Sequence, residues 1–235
     1  MSKKNRDFKQ RKVNRRQIRK RFLIICEGEQ TEPNYFKYFQ QIGRDKQKAT
    51  IDIEIQTACN KGGGVGITVV KEAIKKKKKD RTYEKDEVWC VFDRDAKPEN
   101  KNQHNFNEAI QLASNNDINL AISNDAFELW YLLHYEYYES ATHRSNLNEM
   151  LSTKTRLGEK YKKNSQDMYD KLKDKQENAI RNAKKLWQSY ARDEKSDSLD
   201  NLSVEEKIRR HNMNPSTTVF QLVETLNRVI FEDSD

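Results

Sequence analysis

The sequence predicts an α/β fold: a mainly parallel, Rossmann-like sheet flanked by helices, followed by an α-helical C-terminal extension. Three observations predict it. Short apolar runs that break off in polar residues recur at FLIIC, IDIEIQT, EVWCVF and INLAIS. Between them lie segments whose apolar residues fall at helical spacing. From about residue 140 onward the strand-like runs cease, and the chain becomes helical in pattern and heavily charged.

The elements follow in order. FLIIC reads as a short buried strand. Pro33 then opens NYFKYFQQIG as a helix, because its missing N–H is not needed in a first turn, and Gly43 is the expected end. IDIEIQT alternates like a half-exposed strand. The loop NKGGGVG leads into ITVVKEAIKKKKK, where Val69, Val70, Ala73 and Ile74 mark one helix face. EVWCVF is a buried strand running into Asp93, Arg94 and Asp95. NFNEAIQLASNN reads as a helix, INLAIS as a fourth strand, and AFELWYLLHYEYY as a largely apolar helix. In the extension, Gln166 to Asp193 is the longest helical candidate. TVFQLVETLNRVIF carries Val219, Leu222, Val223, Leu226, Val229 and Ile230 as a stripe expected to pack back on the domain. The expected division is a basic flexible tail at 1–20, an α/β domain at 21–140 and a helical extension at 141–235.

Composition narrows the function classes. At 235 residues, 34% hydrophobic, the chain has enough apolar residues for one core. No run approaches the roughly 20 apolar residues of a membrane span, and no apolar run follows the basic N-terminus within the first 20 positions, so the expectation is cytoplasmic with no membrane partner. Cys26, Cys59 and Cys90 are odd in number and lack the paired spacing of a zinc site; they read as core filling. Residues 1–21 hold eleven Lys or Arg against one acid, Asp7, so with +8 overall the rest of the chain carries −2. A tail with so few apolar residues is expected to be mobile. Its cations, Arg15, Arg16 and Arg19 among them, either contact a phosphate-rich partner or only solubilise the chain.

The chemistry concentrates at strand ends. In open parallel sheets, ligands sit outside the carboxyl ends of strands, where strand order reverses. Glu27 stands at the end of the first strand, Asp93 and Asp95 at the end of the third. Alternate residues of an extended chain face one way, so both aspartates are expected to face one ion with Arg94 turned away. If those strands are neighbours, three carboxylates converge. Either a hard divalent cation such as Mg²⁺ or Mn²⁺ relieves their repulsion, or the acids serve as caps and turn formers. Glu128 either completes the rim of such a site with Asn124 or belongs to a capping arrangement with Asp125. Glu32 is explained by the dipole of the helix it begins, and Glu29 by solvation. His134 reads as a hydrogen-bonded core residue, and His104, His143 and His211 show no metal spacing. The loop from Lys61 to Gly66, Gly63 included, either offers N–H groups to phosphate or is a simple turn; no Walker A sequence follows it. Lys75, Lys76, Lys77 and Lys78 either complement a helix terminus or contact a nucleic-acid backbone.

Read together, CEGEQTEPNYF, VFDRDAKP, SNDAFELWYLLHYE and NPSTTVFQLVETL resemble the RloB family, also seen as the second component of AbiL-type abortive-infection systems, and the Glu-Gly and Asp-x-Asp strand ends resemble the Toprim domain. The motifs span nearly the whole chain after the tail. The resemblance implies a Toprim-like fold, a Mg²⁺- or Mn²⁺-dependent nuclease acting on DNA or RNA in prokaryotic anti-phage defence, and an ABC-type ATPase partner; a homo-oligomer is left open. Carried over by position, Glu27 matches the glutamate acting as general acid, base or ligand, and Asp93 and Asp95 match the metal-binding pair. No tyrosine lies in a recognisable DNA-cleavage module, which favours hydrolysis over strand passage. The alternative is a non-catalytic nucleic-acid-binding or regulatory subunit.

Overall fold

A computed structural model describes residues 20–45, 51–58, 66–79, 87–95, 103–192 and 202–232. The expectations for the tail with Arg15, Arg16 and Arg19, for Lys61 and Gly63, and for Cys59 fall outside the described residues. Strands β1 (Lys20–Cys26), β2 (Ile51–Thr57), β3 (Glu87–Asp93) and β4 (Asn119–Asn124) run parallel. The short β5 (Ser216–Thr217) pairs antiparallel with β4, giving the order β2-β1-β3-β4-β5. The helices, in chain order, are α1 (Thr31–Asp45), α2 (Ile67–Lys79), α3 (Gln103–Ser114), α4 (Glu128–Leu133), α5 (Arg144–Leu151), α6 (Met168–Leu172), α7 (Gln176–Ser189), α8 (Val204–His211) and α9 (Val219–Asn227). This is the α/β architecture the sequence predicts, with a Rossmann-like parallel sheet.

Both faces of the sheet are covered, and that is why its central strands read as continuous apolar runs. Leu23, Ile25, Val88, Cys90, Phe92 and Ile122 face one core, shared with Val70 and Ala73 of α2 and Phe106 and Ile110 of α3. The alternate residues, Phe22, Ile24, Cys26, Trp89, Val91 and Ala121, face the other, shared with Tyr35, Phe36 and Phe39 of α1 and with α4, α7 and α9. Cys26 and Cys90 are buried and free, one in each core, as expected of filling residues. Among the described residues, no helix is long and apolar enough to cross a membrane.

Four expectations are corrected. Gly43 does not end the first helix, which continues to Asp45. The helix expected through Tyr138 stops at Leu133, where side chains intercept its carbonyls: the amide of Asn182 donates to Leu133 O (2.9 Å) and His134 Nδ1 lies 2.8 Å from Trp130 O. The run from Gln166 to Asp193 is broken into α6, a 3₁₀ turn at Lys173–Lys175 and α7. The break lets Tyr169 stack on Tyr38 of α1 (3.6 Å between centroids) while Ala179, Ala183 and Leu186 of α7 join the core shared with α4 and α9. The final helix gives way after Asn227 to a π-helical turn, Arg228–Glu232.

The extension supplies a strand as well as helices. Ser123 Oγ and Thr217 Oγ1 lie 3.0 Å apart, and the Thr218 N–H donates to Ile122 O (2.9 Å), stitching β5 to β4. Leu147, Leu151, Leu172, Trp187 and Leu222 share one core with Phe22 and Trp89 of the sheet.

Candidate functional site

The order of strands places the site. From β1 the chain passes to β2 on one side and then crosses to β3 on the other, so the carboxyl ends of β1 and β3 border the point where the order reverses. Register brings those ends level. Cys26 lies opposite Val91, the Glu27 N–H donates to Val91 O (2.8 Å), and the Asp93 N–H lies 3.4 Å from Glu27 Oε2.

A cleft of about 390 Å³ opens there, lined by Glu27, Glu29, Glu32, Asp93, Asp95 and Glu128, with Arg144 and Lys163 as the cations among the described lining residues. Each comes from the end of an element. Glu32 sits in the first turn of α1 and is 6% exposed; its carboxylate lies over Gly28, where a Cβ would collide with Oε2. Any larger residue at 28 would displace that carboxylate. Glu128 begins α4, is buried, and accepts a 2.8 Å hydrogen bond from Tyr161 Oη. Asp93 ends β3 with its Oδ1 buried and without a hydrogen-bond partner.

Crowded acids disfavour ionisation of the most buried among them. Burial, with Glu128 and Glu27 adding to it, pushes the Glu32 carboxyl up to about 7. Burial, reinforced by Glu32 and Glu128 and opposed by Arg144, holds Asp93 well above the usual carboxylate range. Burial followed by the Glu128 charge also raises the Tyr161 phenol, which therefore keeps its proton and remains the donor.

Asp95 reaches the cleft by a different route from the one its spacing suggests. The strand ends at Asp93, and Asp95 adopts φ 41°, a left-handed conformation that Asp tolerates better than most residues. Its Oδ1 accepts from Arg144 Nη2 at 2.9 Å. Arg94, between the two aspartates, does turn away as expected. It is buried, its Nε donates to Asn212 Oδ1 (3.0 Å), its Nη2 donates to Gln103 Oε1, and its guanidinium lies 4.6 Å from the Phe106 ring centroid. That grip ties the strand tip to α3 and to the residue after α8.

Glu27, Asp93, Asp95 and Glu128 are thus brought together. Asn124 is not: its amide donates to Met213 O (2.8 Å) and His211 O (3.3 Å), away from the cleft-lining residues. The lysine run, Lys75, Lys76, Lys77 and Lys78, lies in the last turns of α2, which runs back toward the amino ends of the strands. Lys77 Nζ donates there to Asn116 O (2.8 Å) and Asp117 O (3.0 Å), just before β4 and at the opposite edge from Glu27. His134 is a core residue packed on Trp130 and Tyr35, with burial lowering its pKa to about 4.

Two groups of residues were not foreseen. Glu32 was assigned to the helix dipole, although a helix that follows a parallel strand begins beside that strand's carboxyl end. Arg144, Tyr161, Lys163 and Asn164 come from the extension and carry no local signal. Asn164 anchors their loop: Thr31 Oγ1 donates to its Oδ1 (2.8 Å) and the Asn34 amide donates to its carbonyl (3.1 Å).

With this geometry in place, comparison with known proteins adds one decisive finding. The family model of the RloB-like proteins matches residues 22–226, most of the chain. The chain belongs to the RloB-like family. No curated protein and no solved structure matches it significantly. The RloB-like match begins in β1 and ends in α9, so it takes in the sheet, all the acids of the cleft and the extension that supplies Arg144 and Lys163.

The fit of this RloB-like cleft to a divalent metal rests on its donor chemistry. Among the described residues, no group of three or more His, Cys, Asp or Glu is arranged to hold an ion. The donors are nonetheless carboxylate oxygens, which suit hard cations, and the buried, unpartnered Asp93 Oδ1 is the kind of atom an ion satisfies. Holding a metal requires these side chains to close on it.

Proposed function

We propose that the cleft is a divalent-metal-dependent phosphodiesterase site that hydrolyses nucleic acid, DNA or RNA, in defence against phage, and that the chain works with an ABC-type ATPase partner. Membership of the RloB-like family fits a role in abortive infection and defence. The observation that carries the chemical part is the buried, unpartnered Asp93 Oδ1 among the carboxylates of Glu27, Glu32 and Glu128 at the sheet's reversal point. The Toprim resemblance of the Glu-Gly and Asp-x-Asp strand ends assigns Asp93 and Asp95 as metal ligands and Glu27 as ligand or proton carrier. Bound Mg²⁺ or Mn²⁺ would supply charge stabilisation at the phosphoryl oxygen and an activated water. The remaining work falls to the chain itself: Tyr161 holds Glu128 in place, Gly28 makes room for Glu32, and Arg94 fixes the tip of β3.

The test is incubation of the purified protein with mixed DNA and RNA and Mg²⁺ or Mn²⁺, with and without a neighbouring ATPase, beside Asp93→Asn. Cleavage by the wild type that vanishes in Asp93→Asn is expected, as is a metal-induced rise in melting temperature confined to the wild type. Without metal the variant should melt no lower, because it relieves the burial and crowding that raise the Asp93 pKa while keeping the side chain's shape. A variant that melts clearly lower, with no metal response in either protein, makes the acids scaffolding and removes the nuclease reading.

A non-catalytic nucleic-acid-binding subunit is the second reading, and one observation favours it: Arg144 already partners Asp95, so part of the acidity is neutralised by the chain itself. Under that reading, the protective or toxic effect in cells survives the double variant Asp93→Asn with Asp95→Asn.

A further inference from the structure

Arg144, the first residue of α5, holds two carboxylates in unequal ways. Toward Asp125 the hold is threefold: the Arg144 backbone N–H donates to Asp125 Oδ2 (3.0 Å), Nη2 donates to Asp125 O (3.1 Å) and Nε lies 3.4 Å from Asp125 Oδ2. The Asp125 side chain is 4% exposed, so that carboxylate is fixed in the protein, and the backbone N–H would keep holding it if the guanidinium moved. Toward Asp95 the hold is a single 2.9 Å contact to a side chain that is 41% exposed. A partly exposed ion pair of this kind is worth little, and it is the contact that yields first.

Asp95 is also the exposed carboxylate of the Asp-x-Asp pair, whereas Asp93 keeps its Oδ1 buried. A cation entering from solvent to take both aspartates meets Asp95 Oδ1 with an arginine already on it. We propose that Arg144 is a resident counter-ion of this cleft, which a divalent cation must displace from Asp95, so that the arginine sets how much metal the site requires. This rests on the reading of the cleft as a metal site. In the metal-free protein the guanidinium offsets the charge of Asp95 and moderates that felt by Asp93. On loading, it withdraws to Asp125, which retains it at the rim.

The experiment measures Mn²⁺ affinity of the full chain by titration calorimetry and by the loss of the free-ion electron paramagnetic resonance signal, for wild type, Arg144→Gln, Arg144→Lys and Asp93→Asn. Arg144→Gln should bind Mn²⁺ about two- to fivefold more tightly than wild type, the size expected of one partly exposed ion pair. Arg144→Lys keeps the charge but not the fork, and should fall between the two. It carries the test if Arg144→Gln fails to fold because Asp125 has lost its partner. Wild-type binding that disappears in Asp93→Asn but is unchanged or weakened in both Arg144 variants overturns the counter-ion role and leaves the metal site standing. Absence of Mn²⁺ uptake by any of the four proteins removes both.

Discussion

Replacing Glu32 by Gln should stabilise the metal-free protein, and by an amount that depends on pH. Glu32 is 6% exposed and faces Glu27 and Glu128, and burial with those charges lifts its pKa from 4.5 to about 7. Below about pH 4.5 the carboxyl is protonated in both the folded and the unfolded chain, so the substitution changes little. As pH rises toward 7 the unfolded chain releases the proton while the folded chain retains it, and the wild type loses stability across that window. Above pH 7 the loss is complete. A shift of this size corresponds to roughly 3 kcal/mol. In a chain of this length that is a difference in melting temperature of roughly 6–12 °C. Thermal unfolding in EDTA at pH 4.5, 6 and 8 measures it: the two proteins should melt nearly together at the lowest pH and separate progressively above it, with the variant the more stable. A variant that melts lower by the same margin at all three values would refute the reasoning, since Glu32 would then be a hydrogen-bonded structural residue rather than one of several crowded acids.

Two further perturbations probe how the acids are held. Gly28→Ala places a Cβ against the Glu32 carboxylate and should cost about 1 kcal/mol, a cost that disappears when Glu32 is also replaced by Ala; melts of the four proteins in the cycle give the coupling, and additive effects would count against the contact. Tyr161→Phe removes the buried donor to Glu128 and should destabilise by about 1–3 kcal/mol in urea unfolding, with most of that loss absent in a Glu128→Gln background; equal losses in both backgrounds would locate the Tyr161 hydroxyl's contribution elsewhere.

Much of the sheet was legible because each strand is buried on two sides, and a chain buried on two sides must be apolar along its length. FLIIC and EVWCVF therefore stand out, and the acids that end them mark where the core stops. Their convergence needed only that β1 and β3 be neighbours, which the parallel pairing of Cys26 with Val91 establishes. The position of the lysine run was legible too, had the geometry of a crossover been followed: a helix returning between parallel strands carries its last turn to their amino ends, so Lys77 lies at the far edge from Glu27. Arg144, Tyr161 and Lys163 could not be read in this way. Their contacts join the extension to the strand ends across long stretches of sequence, Tyr161 to Glu128 for instance, and no periodicity encodes such a pairing.

The distribution of charge also bears on how such a site would be switched on. Among the described residues, six carboxylates from the strand ends and the turns and helices that follow them face two cations, Arg144 and Lys163, and both cations come from the extension. A phosphodiester is itself an anion, and two like charges 4 Å apart near a protein surface repel by about 4 kcal/mol. On the proposed reading, the acids of the described cleft therefore disfavour the phosphodiester until their charge is offset. Either the acids take up protons, which burial favours at Glu32 and Asp93, or cations enter. Protonation removes the very donors that a metal needs, so only the second route produces a working site. Because Arg144 and Lys163 reach the acids from α5 and from the loop pinned by Asn164 to Thr31 and Asn34, any partner that shifts these two segments alters the charge seen by both metal and phosphate. If the proposed ATPase partner acts on this cleft, the segments that carry Arg144 and Lys163, rather than the strands that carry the acids, are where a shift would change its charge.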